Sequence, residues 1–170
     1  VEAAHIKDIL SYLRIAYNAG DQVSWLRALL LIPGVGPKTA QKIIQAIAGH
    51  APLEMAPRAA GFLTGQGNAK DSALLGKNDA LISLLGLLKG VDIRGDAPGK
   101  IIEKFLGYYQ PLLKIKYDDF NKRLNDLDSL LRIAQRYKTT EQFLVDMALE
   151  PPERSIVEAV KKDKYDASLT

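Results

Sequence analysis

The segment between Ile32 and Ile43 places two glycines at the junction of two predicted helices. Gly34 and Gly36 carry no side chains, so the backbone there is free to turn sharply and to come close to a phosphate. The apolar Val35 between them is predicted to point inward and to hold the turn in place. This pattern favours one kind of chemistry, the binding of a phosphate oxygen by main-chain N–H groups.

The helix that follows this turn is predicted to supply the donors and the cations. Pro37 suits the first turn of a helix, where its missing N–H leaves no helical hydrogen bond unmade. The remaining N–H groups of that turn lie at the positive end of the helix dipole, which attracts an anion. Lys38 and Thr39 lie beside these groups, and Lys42 follows one turn later on the same face as Lys38.

Together these residues predict a helix-hairpin-helix over residues 26–48 that grips the sugar-phosphate backbone of DNA. Contacts to phosphates carry no base information, so the binding is expected to be independent of sequence and sensitive to salt. A plain glycine-rich turn between helices is the alternative, but it does not explain the Pro-Lys-Thr start of the second helix. No catalytic, cofactor-binding or metal-binding residue is predicted, and the predicted DNA-binding residues are Gly34, Val35, Gly36, Lys38, Thr39 and Lys42.

The spacing of apolar residues predicts an all-α, multi-helix bundle with the hairpin and one long loop. The loop is expected at Gly49 to Asn68, which is rich in Gly, Ala and Pro. A short, extended connection is expected at Val91 to Gly95. The first predicted helix runs from about His5 to Tyr17, and a second is expected to begin after a cap at Asp21. A later helix is expected to end at Lys89-Gly90, and the next to begin at Pro98 with a buried face up to Pro111. A long helix is then expected to end near Tyr137, and a capping box of Thr139 with Gln142 is expected to start the helix after it.

Composition excludes several classes of site. The 23 Lys and Arg against 20 Asp and Glu leave a formal net charge of +3, which by itself does not establish a nucleic-acid partner. The chain has no cysteine, which excludes disulfides, thiolate metal sites and cysteine nucleophiles. His5 and His50 are far apart and have few acidic neighbours in sequence, so both are interpreted as structural or solvated. Since no long apolar run or signal peptide is present, a cytoplasmic location without membrane contact is expected.

Two segments outside the hairpin resemble a family of DNA motor proteins. Residues His5 to Ile15 contain a Lys-Asp-hydrophobic-x-x-Tyr-Leu-Arg pattern, which resembles the stretch after motif IV in UvrD/PcrA/Rep-type superfamily 1 helicases. Asn18 to Arg27 continues this likeness, and in that family the hairpin comes next. Thr139 to Leu149 looks like the closing helix of the inserted helical subdomain 2B, and Lys164 to Thr170 looks like the approach to motif V. The stretch from Gly49 to Lys116 matches only as generic helices.

The resemblance implies a 2B-like domain over residues 1–155 and a connector to the motor domain over residues 156–170. It implies a parent protein that is an ATP-dependent 3′-to-5′ DNA helicase, with ATP and Mg²⁺ as its cofactors. The implied partners are double-stranded DNA or a duplex/single-strand junction, the motor domains of the same chain, and repair or replication proteins. The chain contains no Gly-x-x-x-x-Gly-Lys-Ser/Thr loop, so we interpret it as an excised piece that has no cofactor and no ATPase activity of its own.

Helix-hairpin-helix DNA glycosylases have a similar hairpin signature and are the enzyme alternative. In bifunctional members, a lysine at the position of Lys38 attacks the sugar carbon, for which its amine must be neutral and shielded from water. That chemistry also needs a carboxylate a short way downstream, and Glu54 is the only acid between Gln41 and Lys70. A module that docks a partner protein on its helical faces is a third reading, and it is compatible with DNA binding.

Overall fold

A computed structural model describes residues 3–47 and 78–149 of the chain, and these residues form helices and turns without any β-strand. The predicted all-α class is therefore confirmed for this part of the chain. None of its helices is long and apolar enough to cross a membrane. The helices are α1 (Ala4–Tyr17), α2 (Gln22–Leu30), α3 (Pro37–Ile47), α4 (Asp79–Lys89), α5 (Pro98–Lys116), α6 (Phe120–Ala134) and α7 (Thr140–Leu149).

The described residues divide into two compact units. Unit 1 comprises residues 3–10 and 92–149, which are the start of α1 together with α5, α6 and α7. Unit 2 comprises residues 11–47 and 78–91, which are the rest of α1 together with α2, α3 and α4. The predicted loop at Gly49 to Asn68, the boundary at residue 155 and the connector 156–170 lie outside the described residues, and the single domain over 1–155 stays a prediction.

In unit 2, α2 begins where the sequence predicts. The Asp21 carboxylate accepts a hydrogen bond from the Ser24 N–H at 3.0 Å and another from the Ser24 hydroxyl at 2.7 Å. Such a cap satisfies one of the N–H groups that a helix leaves open at its start. Trp25 follows and is fully buried, and its indole N–H donates to the Ala19 carbonyl at 3.0 Å. The cap and this tryptophan together fix the direction in which α2 leaves α1.

The connection from Val91 to Gly95 differs from its prediction. The end of α4 at Lys89, with Gly90 as its cap, is confirmed. The residues that follow form a turn rather than an extended segment, since the Asp92 carboxylate accepts from the N–H groups of Arg94 at 3.2 Å and Gly95 at 2.9 Å. An aspartate side chain that bonds to nearby backbone N–H groups replaces the bonds that an extended strand would make elsewhere.

In unit 1, α5 begins at Pro98 as predicted but continues through Pro111 to Lys116. A proline inside a helix loses one N–H bond and crowds the carbonyl four residues earlier. The residue four positions before Pro111 is Gly107, which has no side chain of its own. Beyond the proline, Leu112 and Leu113 are both buried. Burial of these two leucines offsets the single missing hydrogen bond, which the sequence pattern alone did not reveal.

The helices α5 and α6 pack against each other, and Gly99 marks a place where they come close. A methyl group at Gly99 would lie 2.8 Å from Cγ, 3.1 Å from Cα and 3.2 Å from the backbone nitrogen of Gln135, the residue that follows α6 as its cap. These distances are shorter than normal carbon contacts.

Further along the chain, α7 starts after Thr139, whose hydroxyl accepts from the Gln142 N–H at 3.3 Å, as the predicted cap requires.

We therefore predict opposite effects for two glycine substitutions in α5. Gly99→Ala should lower the free energy of unfolding by about 1–3 kcal/mol, because the methyl group meets the backbone of α6. Gly107→Ala is the matched control: no atom of the described residues lies within 4 Å of its added methyl group. It should raise the free energy of unfolding by about 0.5–1 kcal/mol through helix propensity. Urea unfolding of both variants measures the difference, and equal effects would contradict the close packing at Gly99.

Candidate nucleic-acid interface

The chain reverses between α2 and α3 through a tight turn at Ile32 to Val35. The Val35 N–H donates to the Ile32 carbonyl at 3.1 Å, which closes a four-residue turn. Pro33 has its φ fixed near −65° by its ring, and Gly34 has a φ of 83°. A type II turn is the one that combines these two angles. The Pro-Gly pair thus satisfies a specific geometric demand, because glycine adopts the Gly34 conformation without the steric cost that most other residues have there.

The helix α3 starts directly after this turn with its first amides open. The first helical bond runs from the Ala40 N–H to the Gly36 carbonyl at 2.9 Å. The N–H groups of Lys38 and Thr39 precede that bond and have no carbonyl one turn back within the helix. Pro37 has no N–H, and Gly36 has no side chain that could cap the helix. The start of α3 is therefore a pair of main-chain donors at the positive end of a helix dipole.

The predicted site residues divide into exposed and buried members. Gly34, Lys38 and Lys42 are exposed, and Gly36 and Thr39 are half-buried. Val35 is 7% exposed, as its predicted inward orientation requires. Because the Val35 N–H closes the turn, this residue contributes to the shape of the hairpin and not to its free donors.

Two observations describe the space in front of the hairpin. A methyl group added to Gly34 or to Gly36 would meet no atom of residues 3–47 and 78–149 within 4 Å, so these residues leave the backbone open on these sides. Lys38 and Lys42 are one helical turn apart, which places both ammonium groups on one face of α3. Open backbone, free N–H groups and two exposed cations are the features that bind a phosphate chain.

The exposure of Lys38 bears on the enzyme alternative. A lysine that attacks a sugar carbon needs a pocket that shields its amine from water. Lys38 instead lies exposed in the first turn of α3. The geometry supports a role for Lys38 as a cation beside a phosphate and does not favour a role as a nucleophile.

Positive charge is concentrated in the unit that carries the hairpin. The described residues of unit 1 are almost balanced, with eleven Lys and Arg against ten Asp and Glu. Those of unit 2 include five basic residues against two acidic ones. The basic residues in this part of unit 2 are Arg14, Arg27, Lys38, Lys42 and Lys89, and the acidic ones are Asp21 and Asp79.

One residue near the hairpin was missed by sequence reasoning. Asn78 directly precedes α4, and its side-chain N–H donates to the Pro33 carbonyl at 3.2 Å. An asparagine before a helix predicts an N-cap, and Asn78 does cap α4. A contact across 45 residues has no signature in the sequence.

A separate polar cluster lies in unit 1 around His5. The Arg123 guanidinium contacts His5 Nδ1 at 3.1 Å, and the Asp126 carboxylate contacts His5 Nε2 at 3.0 Å. Because a guanidinium only donates, Nδ1 must accept, and the ring proton sits on Nε2, from which it is donated to Asp126. Of the two interpretations of His5, structural or solvated, the structure supports the structural one, since the residue is only 3% exposed. Its acidic neighbour comes from a distant part of the sequence.

The pKa of His5 lies below its ordinary value of 6.5, mainly because burial disfavours the charged ring. Arg123 lowers the pKa further, whereas Asp126 and Asp8 act in the opposite direction without reversing the shift. Asp8 itself is buried and accepts a hydrogen bond from the Tyr109 hydroxyl at 2.6 Å. The cluster ties α1 to α5 and α6 within unit 1.

The comparisons with known proteins do not assign this chain to a family: no family model, curated protein or solved structure matches it.

For the hairpin we predict that two neighbouring glycines respond differently to alanine. Gly34→Ala should lower the free energy of unfolding by about 1–2 kcal/mol, because alanine is strained at a positive φ even where space is available. Gly36→Ala should change it by less than about 0.5 kcal/mol, since this residue has room and no positive φ. Thermal or urea unfolding of the two variants tests the turn geometry, and a Gly34→Ala variant as stable as Gly36→Ala would refute it.

For the His5 cluster we predict a loss of stability in mild acid. The unfolded chain takes up a proton at about pH 6.5, whereas the folded chain resists protonation until lower pH. The contribution of His5 is therefore complete above pH 6.5 and is lost as the pH falls from 6.5 to the lower pKa of the folded state. Unfolding free energies between pH 5 and 8 measure this slope. The variant His5→Gln should have a flatter profile over that window, and identical profiles would contradict the neutral, buried ring.

Proposed function

We propose that this chain binds duplex DNA through the sugar-phosphate backbone, with the turn at Pro33 to Gly36 and the first turns of α3 as the contact. The observation that carries the proposal is the start of α3, where N–H groups without a partner in the described part of the chain follow two glycines that no described atom covers. A phosphate oxygen placed there would accept from the Lys38 and Thr39 amides. Neither contact depends on the bases, so every duplex sequence offers the same ligand.

The cations extend this contact along one strand. Lys38 and Lys42 lie on one face of α3 and are exposed. Each ammonium group would neutralise one phosphate, which releases a counterion from the DNA. The basic excess of the described part of unit 2 adds a general attraction for a polyanion. One hairpin neutralises few phosphates, so the chain by itself should bind weakly and only at low to moderate salt.

A larger role follows if the likeness to UvrD-type helicases holds. We infer that the chain is then a regulatory 2B subdomain of an ATP-dependent 3′-to-5′ DNA helicase, in which the hairpin holds the duplex ahead of the motor. ATP and Mg²⁺ belong to that motor, and the implied partners are the motor domains of the same chain and repair or replication proteins. The natural sequence on either side tests this part: a phosphate-binding loop upstream and helicase motifs V and VI downstream are expected, and their absence would count against it.

The salt dependence of duplex binding tests the hairpin directly. In a plot of log K against log salt concentration, the double variant Lys38→Ala/Lys42→Ala should have a slope about 2 units shallower than wild type, because each lost phosphate contact removes about 0.9. Fluorescence anisotropy with one labelled duplex over a series of salt concentrations provides the measurement. A second duplex of unrelated sequence should give the same affinity.

Lys89→Ala is the matched control for these two lysines. Lys89 is an exposed lysine of unit 2 as well, but it lies at the last position of α4, about 15 Å along the helix from the end near the hairpin turn. Its removal takes away the same charge as the loss of either hairpin lysine alone and should leave the slope nearly unchanged. If the double variant keeps the wild-type slope, or if Lys89→Ala flattens it by about 0.9 units as the loss of one phosphate contact would, the hairpin is not the contact.

A further inference from the structure

Asn78 makes two hydrogen bonds that connect the start of α4 to the hairpin. Its side-chain carbonyl accepts from the Leu81 N–H at 3.2 Å, and its side-chain NH₂ donates to the Pro33 carbonyl at 3.2 Å. The two partners, one N–H and one C=O, fix which end of the amide is which. The amide serves the two partners through two different atoms, whereas an aspartate at the same cap would have no proton to donate to the Pro33 carbonyl.

The bond to Pro33 acts on the central peptide of the turn. A trans peptide is planar, with its C=O and N–H pointing in opposite directions, and no described peptide bond is cis. Since the Pro33 carbonyl faces Asn78, the Gly34 N–H of the same peptide points away from Asn78. Gly34 is exposed, and among the described residues no hydrogen bond occupies its N–H.

The orientation of the Pro33–Gly34 peptide distinguishes two types of turn, type I and type II. Types I and II differ mainly by a rotation of the central peptide of roughly 150°, and a Pro-Gly pair is compatible with both. In the type I turn the Pro33 carbonyl would leave Asn78, and the Gly34 N–H would turn to the side where that carbonyl had been. The bond from Asn78 therefore stabilises type II relative to type I.

We propose that Asn78 is a positioning residue of the DNA contact: it fixes the Pro33–Gly34 peptide so that the Gly34 N–H is presented as a further phosphate donor. This inference rests on the proposed function, because it assigns the Gly34 N–H a place in the same site. It also assigns a role to the residue that caps α4, which is distant in sequence from the hairpin. Asn78 itself need not touch the ligand.

The test compares two variants of the full chain that keep the cap of α4. Asn78→Ser is neutral and Asn78→Asp is charged, and both residues cap helices about as well as asparagine. Neither is expected to hold the Pro33 carbonyl, since serine is too short and aspartate has no donor. Two measurements are made on each: the amide signal and backbone coupling of Gly34 by NMR, and the affinity for a labelled duplex.

We expect the Gly34 signals to shift in both variants and the dissociation constant to rise about threefold to tenfold, as for the loss of one hydrogen bond. The thermal midpoint should stay close to that of wild type, which separates positioning from a purely structural role. A weaker affinity in Asn78→Asp alone would indicate charge repulsion and overturn the proposal. Unchanged Gly34 signals in both variants, or shifted signals with unchanged affinity, would also overturn it.

Failure of the proposed function has a different signature. If the wild-type chain binds no duplex at low salt, both the DNA contact and the positioning role are wrong. The Gly34 signals would then still report whether Asn78 holds the turn, because that measurement needs no DNA.

Discussion

The left-handed conformation of Gly34, at a φ of 83°, is the constraint on which the candidate interface depends. It lets the chain reverse between α2 and α3 within a turn closed by one hydrogen bond, from Val35 to Ile32. With this reversal, the side chains of Ile32 and Val35 are both buried, and α2 packs against α3. The same reversal leaves the first amides of α3 without helical partners and directly beside an open stretch of backbone. A residue that prefers negative φ at this position would disfavour the turn, and with it both the packing of α2 against α3 and the placement of the first amides of α3.

The two polar regions of the molecule use hydrogen bonds in opposite ways. At the hairpin, the donors of Lys38 and Thr39 are main-chain groups, which suits a ligand with a repeating, uniform charge. Around His5, each polar group is matched to a partner inside the protein, with Arg123 on one ring nitrogen and Asp126 on the other. Buried groups without such partners would cost stability. A polar cluster that is complete in itself is therefore a structural joint, whereas a set of open donors is a candidate for binding.

Glycines illustrate how one residue type takes different roles in this fold. Gly34 is required for its backbone angle, and a methyl group there would meet no neighbour among the residues that the structure describes. Gly99 has no positive φ but lies against the backbone of Gln135, so it is required for the approach of α5 to α6. Gly107 satisfies neither condition, although it stands four residues before the proline that α5 accommodates. These three roles depend on the surroundings of each glycine and not on its local sequence.

The sequence by itself determined the features that depend on neighbouring residues along the chain. The helical class, the cap at Asp21, the start of α3 at Pro37, and the inward position of Val35 all follow from short-range hydrogen bonding and helical periodicity. The Pro-Gly pair likewise predicted a sharp turn between two helices. What these patterns imply for function, DNA binding above all, remains a proposal.

Tertiary structure alone decided the rest, because the deciding partners are far apart in sequence. The continuation of α5 past Pro111 depends on the burial of Leu112 and Leu113 in unit 1, which outweighs a local helix-breaking signal. His5 finds its carboxylate 121 residues away, and the orientation of the Pro33–Gly34 peptide is held by Asn78, 45 residues from Pro33. Local propensities are worth about 1 kcal/mol or less per residue, so packing and long-range hydrogen bonds override them wherever the two disagree.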